Sequence, residues 1–391
     1  MQITRRAFVS GSAALTLASH PLMSAAAPTG HLLLVGTQTL TGTSKGIYAY
    51  AFDSVTGALT RTALAAEVTQ PTFLTLSPDK RTLYAANETS SFLGEKGGGV
   101  SSFSLDATGK LTPISQSPTL GADTCHVATD HTGAAVFTAN YTGGSADSFH
   151  ITDGNHLSPK AVSFLQYTGH GPDASRQQSP HAHRVTVSPD NKYLLVNDLG
   201  LDQIHIYTLD SATAQLTPAE TPFWQAPAGS GPRALVFHPN GKFAYCITEM
   251  GCGVVVLAWD AQTGTLTTKQ ELKLPIKSPA ELNGVTPTGC DIVLDKAARF
   301  AYVANRGDDF IATFALSPDG SRLTYQRRSS CGGTVPRHLT LDPTGHWLLV
   351  ANQGSDTIAT FARDPQSGSL AETGKTYPIS KPQCLLFPQA H

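Results

Sequence analysis

The chain has 391 residues, 40% hydrophobic and 14% charged, a balance that supports a substantial core and excludes a disordered polymer. Its formal net charge of −2, with no basic run beyond the first residues, excludes the electrostatic footprint of a nucleic-acid binder. Beyond the N-terminus no segment is long and apolar enough to span a bilayer.

The first residues, "TRRAFVSGSAALTLASHPLMSAAA", combine adjacent Arg5 and Arg6, an apolar stretch from Ala13 to Ala18 and a small-residue end at Ser24 to Ala27. This is the pattern of a twin-arginine export signal. It predicts a precursor handled by the twin-arginine export machinery, a signal over residues 1–27, and a mature domain over residues 28–391 placed in the periplasm.

From residue 31 the chain reads as strands: "HLLLVGTQ", "GIYAYAFD" and "TGALTRTAL". An eighteen-residue frame then recurs without a gap, as "PTFLTLSPDKRTLYAANE" (71–88), "TCHVATDHTGAAVFTANY" (124–141), "AHRVTVSPDNKYLLVNDL" (182–199), "PRALVFHPNGKFAYCITE" (232–249), "GCDIVLDKAARFAYVANR" (289–306) and "PRHLTLDPTGHWLLVANQ" (336–353). Each copy is a strand, a tight turn of Pro, Asp, Asn or Gly, and a second strand ending near Asn or Asp. Two more strand-like runs follow most copies, such as "GVVVLAWD" and "AQTGTLTTKQEL". Four strands every fifty or so residues mark a β-propeller blade. The tail "KPQCLLFPQAH" supplies a first strand whose partners are the N-terminal ones. The expected fold is therefore all-β, a seven-bladed β-propeller whose last blade is closed by N- and C-terminal strands, leaving no exposed edge.

In such a blade the start of the first strand and the end of the second lie on one face. The aligned columns there hold His183, Arg233 and Arg337, then His126 and Asp291, and finally Glu249 and Arg306, preceded by a column of Asn and Asp that includes Asn140. The Asn and Asp column recurs in nearly every blade and reads mainly as strand capping. The charged residues differ from blade to blade on a constant frame, which suggests a site. His181 and His183 have the spacing of metal ligands on one side of a strand, with His126, Asp291 or Glu249 as a third. The neighbouring arginines would repel a divalent cation, so no metal and no cofactor is assigned. His238, in the turn "FHPNG", belongs to the opposite rim. Cys125, Cys246, Cys252, Cys290, Cys331 and Cys384 show no CxxC spacing and read mostly as buried thiols, although Cys246 and Cys252 flank a turn.

Together, "SPHAHRVTVSPD", "GSGPRALVFHPNGKFAYCITE", "VANRGDD" and "ANQGSDTIATFARDPQSGSL" resemble the seven-bladed propeller lactonase family, over essentially the whole mature chain. That family includes propeller-type 6-phosphogluconolactonase and, more distantly, the fungal carboxy-cis,cis-muconate cyclase. The resemblance implies a carboxylic-ester hydrolase with His183, Arg233, Glu249 and Arg306 as the catalytic set. It places His126, Asn140 and Arg337 at further polar positions around the funnel; His181, in the loop that feeds the strand, and Asp291 join them as substrate-binding candidates. Where the family commonly has Ala-Glu-Ile, this chain has Cys290, Asp291 and Ile292, an acid shorter by one methylene. The expected function is hydrolysis of a small-molecule sugar lactone, 6-phosphogluconolactone or a gluconolactone, to the aldonic acid. A muconate/muconolactone cycloisomerase and a non-catalytic ligand- or protein-binding propeller are the alternatives.

Overall fold

The computed structural model describes residues 30–388. The sequence-predicted export signal lies outside the described residues. Seven sheets radiate from a central channel, and we number the blades by their inner strands: Pro71–Leu76, Thr124–Thr129, Ala182–Val187, Pro232–Phe237, Thr288–Leu294, Pro336–Leu341 and, for blade 7, Pro382–Leu386. These inner strands touch one another in cyclic order, and the last returns to the first. All strands within the blades pair antiparallel to their neighbours, in the order inner, second, third, outer. Blade 2 departs from four strands, because its third strand Ser145–Thr152 pairs with both His156–Leu157 and Ser163–Gln166.

Blade 7 is assembled from both ends of the chain: Pro382–Leu386 pairs with His31–Thr37, which pairs with Gly46–Asp53 and so on to Ala58–Glu67. The joint is the one expected from the sequence, and it removes the free edges that an open ring would present.

Each sheet buries both faces, which explains why the second and third strands read as nearly continuous apolar runs. The core is divided accordingly. Ile247, Val254 and Val256 of blade 4 pack on Val303, Phe310 and Phe314 of blade 5, and an equivalent cluster fills each of the other spaces between neighbouring blades. At the outer hairpin of blade 4, Gly264 sits at φ +66° so close to Tyr193 of blade 3 that a Cβ would fall 2.4 Å from the ring. Only glycine permits both that backbone and that approach. All six cysteines are buried free thiols, and Cys246 and Cys252 do not pair.

One irregularity recurs in every blade and decides where side chains point. Just inside the start of the inner strand the register slips by one residue against the second strand, at Thr72, Cys125, His183, Arg233, the Cys290–Asp291 step, Arg337 and Gln383. A β-bulge leaves its extra residue unpaired and re-aims the side chain. The bulge residues Thr72, Cys125, His183, Arg233, Arg337 and Gln383 line one cavity together with Asp291, whereas Cys290 is buried in the core between blades 5 and 6.

Candidate active site

The local sequence explains how Arg233 and Glu249 come to face each other. In "SGPRA", Gly231 takes φ +64°, and its N–H donates to Asp202 Oδ1 at 2.7 Å. Pro232 then opens the strand without a donor to leave unpaired, and Arg233 is bulged inward. The Gly231 carbonyl accepts from Glu249 N at 2.7 Å, which fixes the end of the second strand beside it. Arg233 Nε reaches Glu249 Oε2 at 2.8 Å, and its Nη1 donates to the Cys290 carbonyl.

Two further guanidiniums converge on the same carboxylate. Arg306, at the end of blade 5's second strand, places Nη2 2.9 Å from Oε2, while Arg176 binds Oε1. Burial alone would raise the Glu249 pKa, but Arg306, Arg233 and Arg176 overcome it and hold the carboxyl at about 2. Glu249 is thus a permanently charged anchor for arginines and a weak proton acceptor.

His183 occupies the bulge of blade 3 and is 8% exposed. Asp198 prepares that position: its Oδ1 accepts from the backbone N–H of His181, Gly200 and Leu201 at 2.8 to 3.1 Å, clamping the "PHAH" entry. His181 stacks on Tyr141 with ring centroids 4.6 Å apart, and Tyr141 meets His183 edge-on at 5.8 Å. Burial, followed by the charges of Arg233, Arg337 and Arg306, holds the His183 imidazole well below its usual pKa, so the ring is neutral at pH 7. Arg337, in the bulge of blade 6, is oriented by a 2.9 Å bond from its Nε to Gln383 of blade 7. Burial and the neighbouring Arg233 lower its pKa.

The sequence-predicted residues separate into three groups. His183, Arg233, Glu249, Arg306, Arg337 and His181 gather at the upper end of the channel. His126 and Asp291 lie one layer below. There Asp291 pairs with Arg184 at 3.2 Å and accepts from Leu339 N at 3.0 Å, while His126 packs on Phe73 at 4.0 Å. Burial opposes ionisation in this layer, lowering both His126 and His338; Asp291 stays charged because His338, Arg184 and the Leu339 N–H outweigh its own burial. Between the layers a cavity lined by Thr72, His183, Arg233, Asp291, Arg337 and His338 offers about 20 Å³ to the centre of a water molecule, room for roughly one. Asn140 belongs to neither layer. It is fully buried, donates to Asp147 at 2.6 Å and Ser145 at 2.9 Å, and accepts from Thr124 at 2.8 Å, so its amide is committed to the frame.

Arg176 and Gln383 escaped the sequence reading. Gln383 was legible in principle as the seventh member of the bulge column. Arg176 lies outside the repeat, in the connection 167–181, where the available signal was a lone basic residue in a Gly-, Pro- and Asp-containing segment leading into "PHAH".

The profile of the lactonase family, described as a seven-bladed β-propeller, matches residues 32–387. The chain belongs to the seven-bladed β-propeller lactonase family. It is 32% identical over 361 residues to a 6-phosphogluconolactonase of Bacillus subtilis, an alignment covering 92% of this chain and 99% of that one. Among solved structures, the periplasmic gluconolactonase of Pseudomonas aeruginosa superimposes with a TM-score of 0.84 at 35% identity, covering 91% of this lactonase and 98% of its relative. A Lactobacillus plantarum protein gives 0.82 at 32% identity over 91% and 98%. The resemblance read from the sequence is confirmed, and with it the enzyme class: a lactonase, which is a carboxylic-ester hydrolase.

Proposed function

We propose that this protein hydrolyses a sugar lactone to its aldonic acid, using His183 as the base for water and arginines as the oxyanion donors. The observation that carries the reading is a neutral imidazole set beside one buried guanidinium, Arg233, and one half-buried guanidinium, Arg306, both pinned to one carboxylate. Water attacks the ring carbonyl as His183 takes its proton. The carbonyl oxygen becomes an oxyanion, for which Arg337 and Arg306 supply donors. Neither Nη atom of Arg337 makes a hydrogen bond within the described residues. Collapse breaks the carbonyl carbon to ring-oxygen bond, and the imidazolium returns its proton to the departing alkoxide.

Glu249 is assigned the anchor's role and not the base's, because three arginines hold its pKa at about 2 and leave the carboxylate a weak proton acceptor. An activated ester needs only a modest base, so a histidine of depressed pKa suffices. His181 and Tyr141 position His183. The relatives support a lactone substrate, phosphorylated in one named case and a gluconolactone in another. Neither the cycloisomerase nor the non-catalytic binding reading draws support from them. Residues 1–27 support export of the precursor, and the periplasmic relative agrees.

The test is acid release in a pH-stat from gluconolactone and from its 6-phosphate. Turnover well above spontaneous opening, lost in His183→Gln, is expected. A His183→Gln variant that keeps the wild-type rate removes histidine from the mechanism.

A further inference from the structure

Arg176 stands outside the repeat that supplies the rest of the channel mouth, on a loop built to present it. Asp173 Oδ1 accepts from Ser175 N at 2.8 Å and from Arg176 N at 3.1 Å, closing a tight turn immediately before the arginine. On the other side Gln177 is fully buried, its amide donating to the Leu199 carbonyl and to Asp202, each at 2.8 Å. The backbone around Arg176 is thereby fixed while its side chain reaches inward.

The three guanidiniums on Glu249 are unequal. The Arg233 side chain is 5% exposed and the Arg306 side chain 19%, whereas Arg176 keeps 36%. Arg176 engages the protein through one nitrogen, Nη2, shared between Glu249 and the Tyr141 hydroxyl at 3.3 Å. Its Nε and Nη1 have no acceptor among the described residues. Glu249 already has two guanidiniums on Oε2, so the third places surplus positive charge at the rim. Nη2 belongs to both two-donor edges of the guanidinium, so with it committed the Nε–H and Nη1–H remain as separate single donors on a cation, each able to give an oxyanion one charge-assisted hydrogen bond.

We infer that Arg176 is a specificity-determining residue, receiving an anionic group that the lactone carries at the carbon remote from its ester carbonyl. That group is a phosphate monoester or a carboxylate, and Arg176 separates lactones bearing it from neutral ones. This deepens the lactonase reading of the same site and rests on it for the identity of the ligand.

The experiment compares wild type, Arg176→Gln and Arg176→Lys on gluconolactone, 6-phosphogluconolactone and a glucarolactone, measuring kcat and KM separately. The ratio of kcat/KM for a charged lactone to that for the neutral one falls about tenfold or more in Arg176→Gln, through KM, and recovers partly in Arg176→Lys. Whichever charged lactone shows the fall identifies phosphate or carboxylate. An unchanged ratio, or an equal kcat loss on charged and neutral substrates, overturns the inference. Calorimetric binding of 6-phosphogluconate, glucarate and gluconate reads the same contact without turnover. If wild type binds neither 6-phosphogluconate nor glucarate, which carry a second anionic group, more tightly than the singly anionic gluconate, the inference fails even where lactones are opened. If Arg176-dependent binding is present and no lactone is opened, the hydrolase reading fails and the inference stands.

Discussion

Arg233 Nε and Glu249 Oε2 meet at 2.8 Å, with both side chains 5% exposed. A buried pair of this kind adds little net stability over an apolar one, but removing one partner strands the other's charge. Here three guanidiniums would be stranded. Glu249→Gln is expected to lower unfolding free energy by roughly 3 to 5 kcal/mol, seen as a shift in the urea midpoint. Its activity should fall with it, since Arg233 and Arg306 lose their common anchor.

The neutral state of His183 sets the pH profile. Because burial and three arginines hold its pKa below 6.5, the acid limb of kcat/KM should have its midpoint under that value, and the rate at pH 6 should remain near its plateau. His183→Gln should reduce kcat on the order of a hundredfold or more. A midpoint at or above 6.5 would contradict the assignment of His183 as the base.

Stability should respond to acid in two stages. His126, His183 and His338 all have lowered pKa values in the folded chain, so the unfolded chain binds protons first. Their contribution is complete above 6.5 and drains as pH falls below it. Glu249 acts lower, because its folded value of about 2 lies beneath its ordinary 4.5. That contribution is full above 4.5, is worth on the order of 3 kcal/mol, and disappears between 4.5 and 2. Urea titrations at pH 7.5, 5.5 and 4.0 should show midpoints falling at the first step. A flat profile from 7.5 to 5.5 would mean that the histidines are not buried neutral.

Asn140→Ala should behave as a framework mutation. It removes the hydrogen bonds to Asp147, Ser145 and Thr124 and leaves buried partners unpaired, at about 1 to 3 kcal/mol. A lower Tm with KM preserved is expected; a raised KM at unchanged Tm would return Asn140 to the substrate.

Much of this was legible because the frame repeats. Six gapless copies announce blades, and the unmatched strands at the two ends announce their joint. What the repeat could not show is the bulge at each inner strand, since an extra residue in a pairing register leaves no mark on a sequence aligned only with itself. The column containing His183 and Arg233 was visible; its turn toward the axis was not. Arg176 was hidden for the opposite reason, lying in a connection outside the aligned eighteen-residue frame. Asn140 was read both as a strand cap and as a neighbour of the substrate, and its amide is bonded inside the sheet to Asp147, Ser145 and Thr124.

The pairing of His31–Thr37 with Pro382–Leu386 also has a kinetic meaning. Joining strands about 350 residues apart carries a loop-closure entropy near 5 kcal/mol, and such non-local contacts form late and slowly. Gln383, which orients Arg337, arrives with that strand. Ring closure and the orientation of Arg337, the proposed oxyanion donor, are therefore one event. A ring without that strand would leave an unpaired strand edge and an unfinished channel at once, so the contact that protects the edge is also the one that sets Arg337.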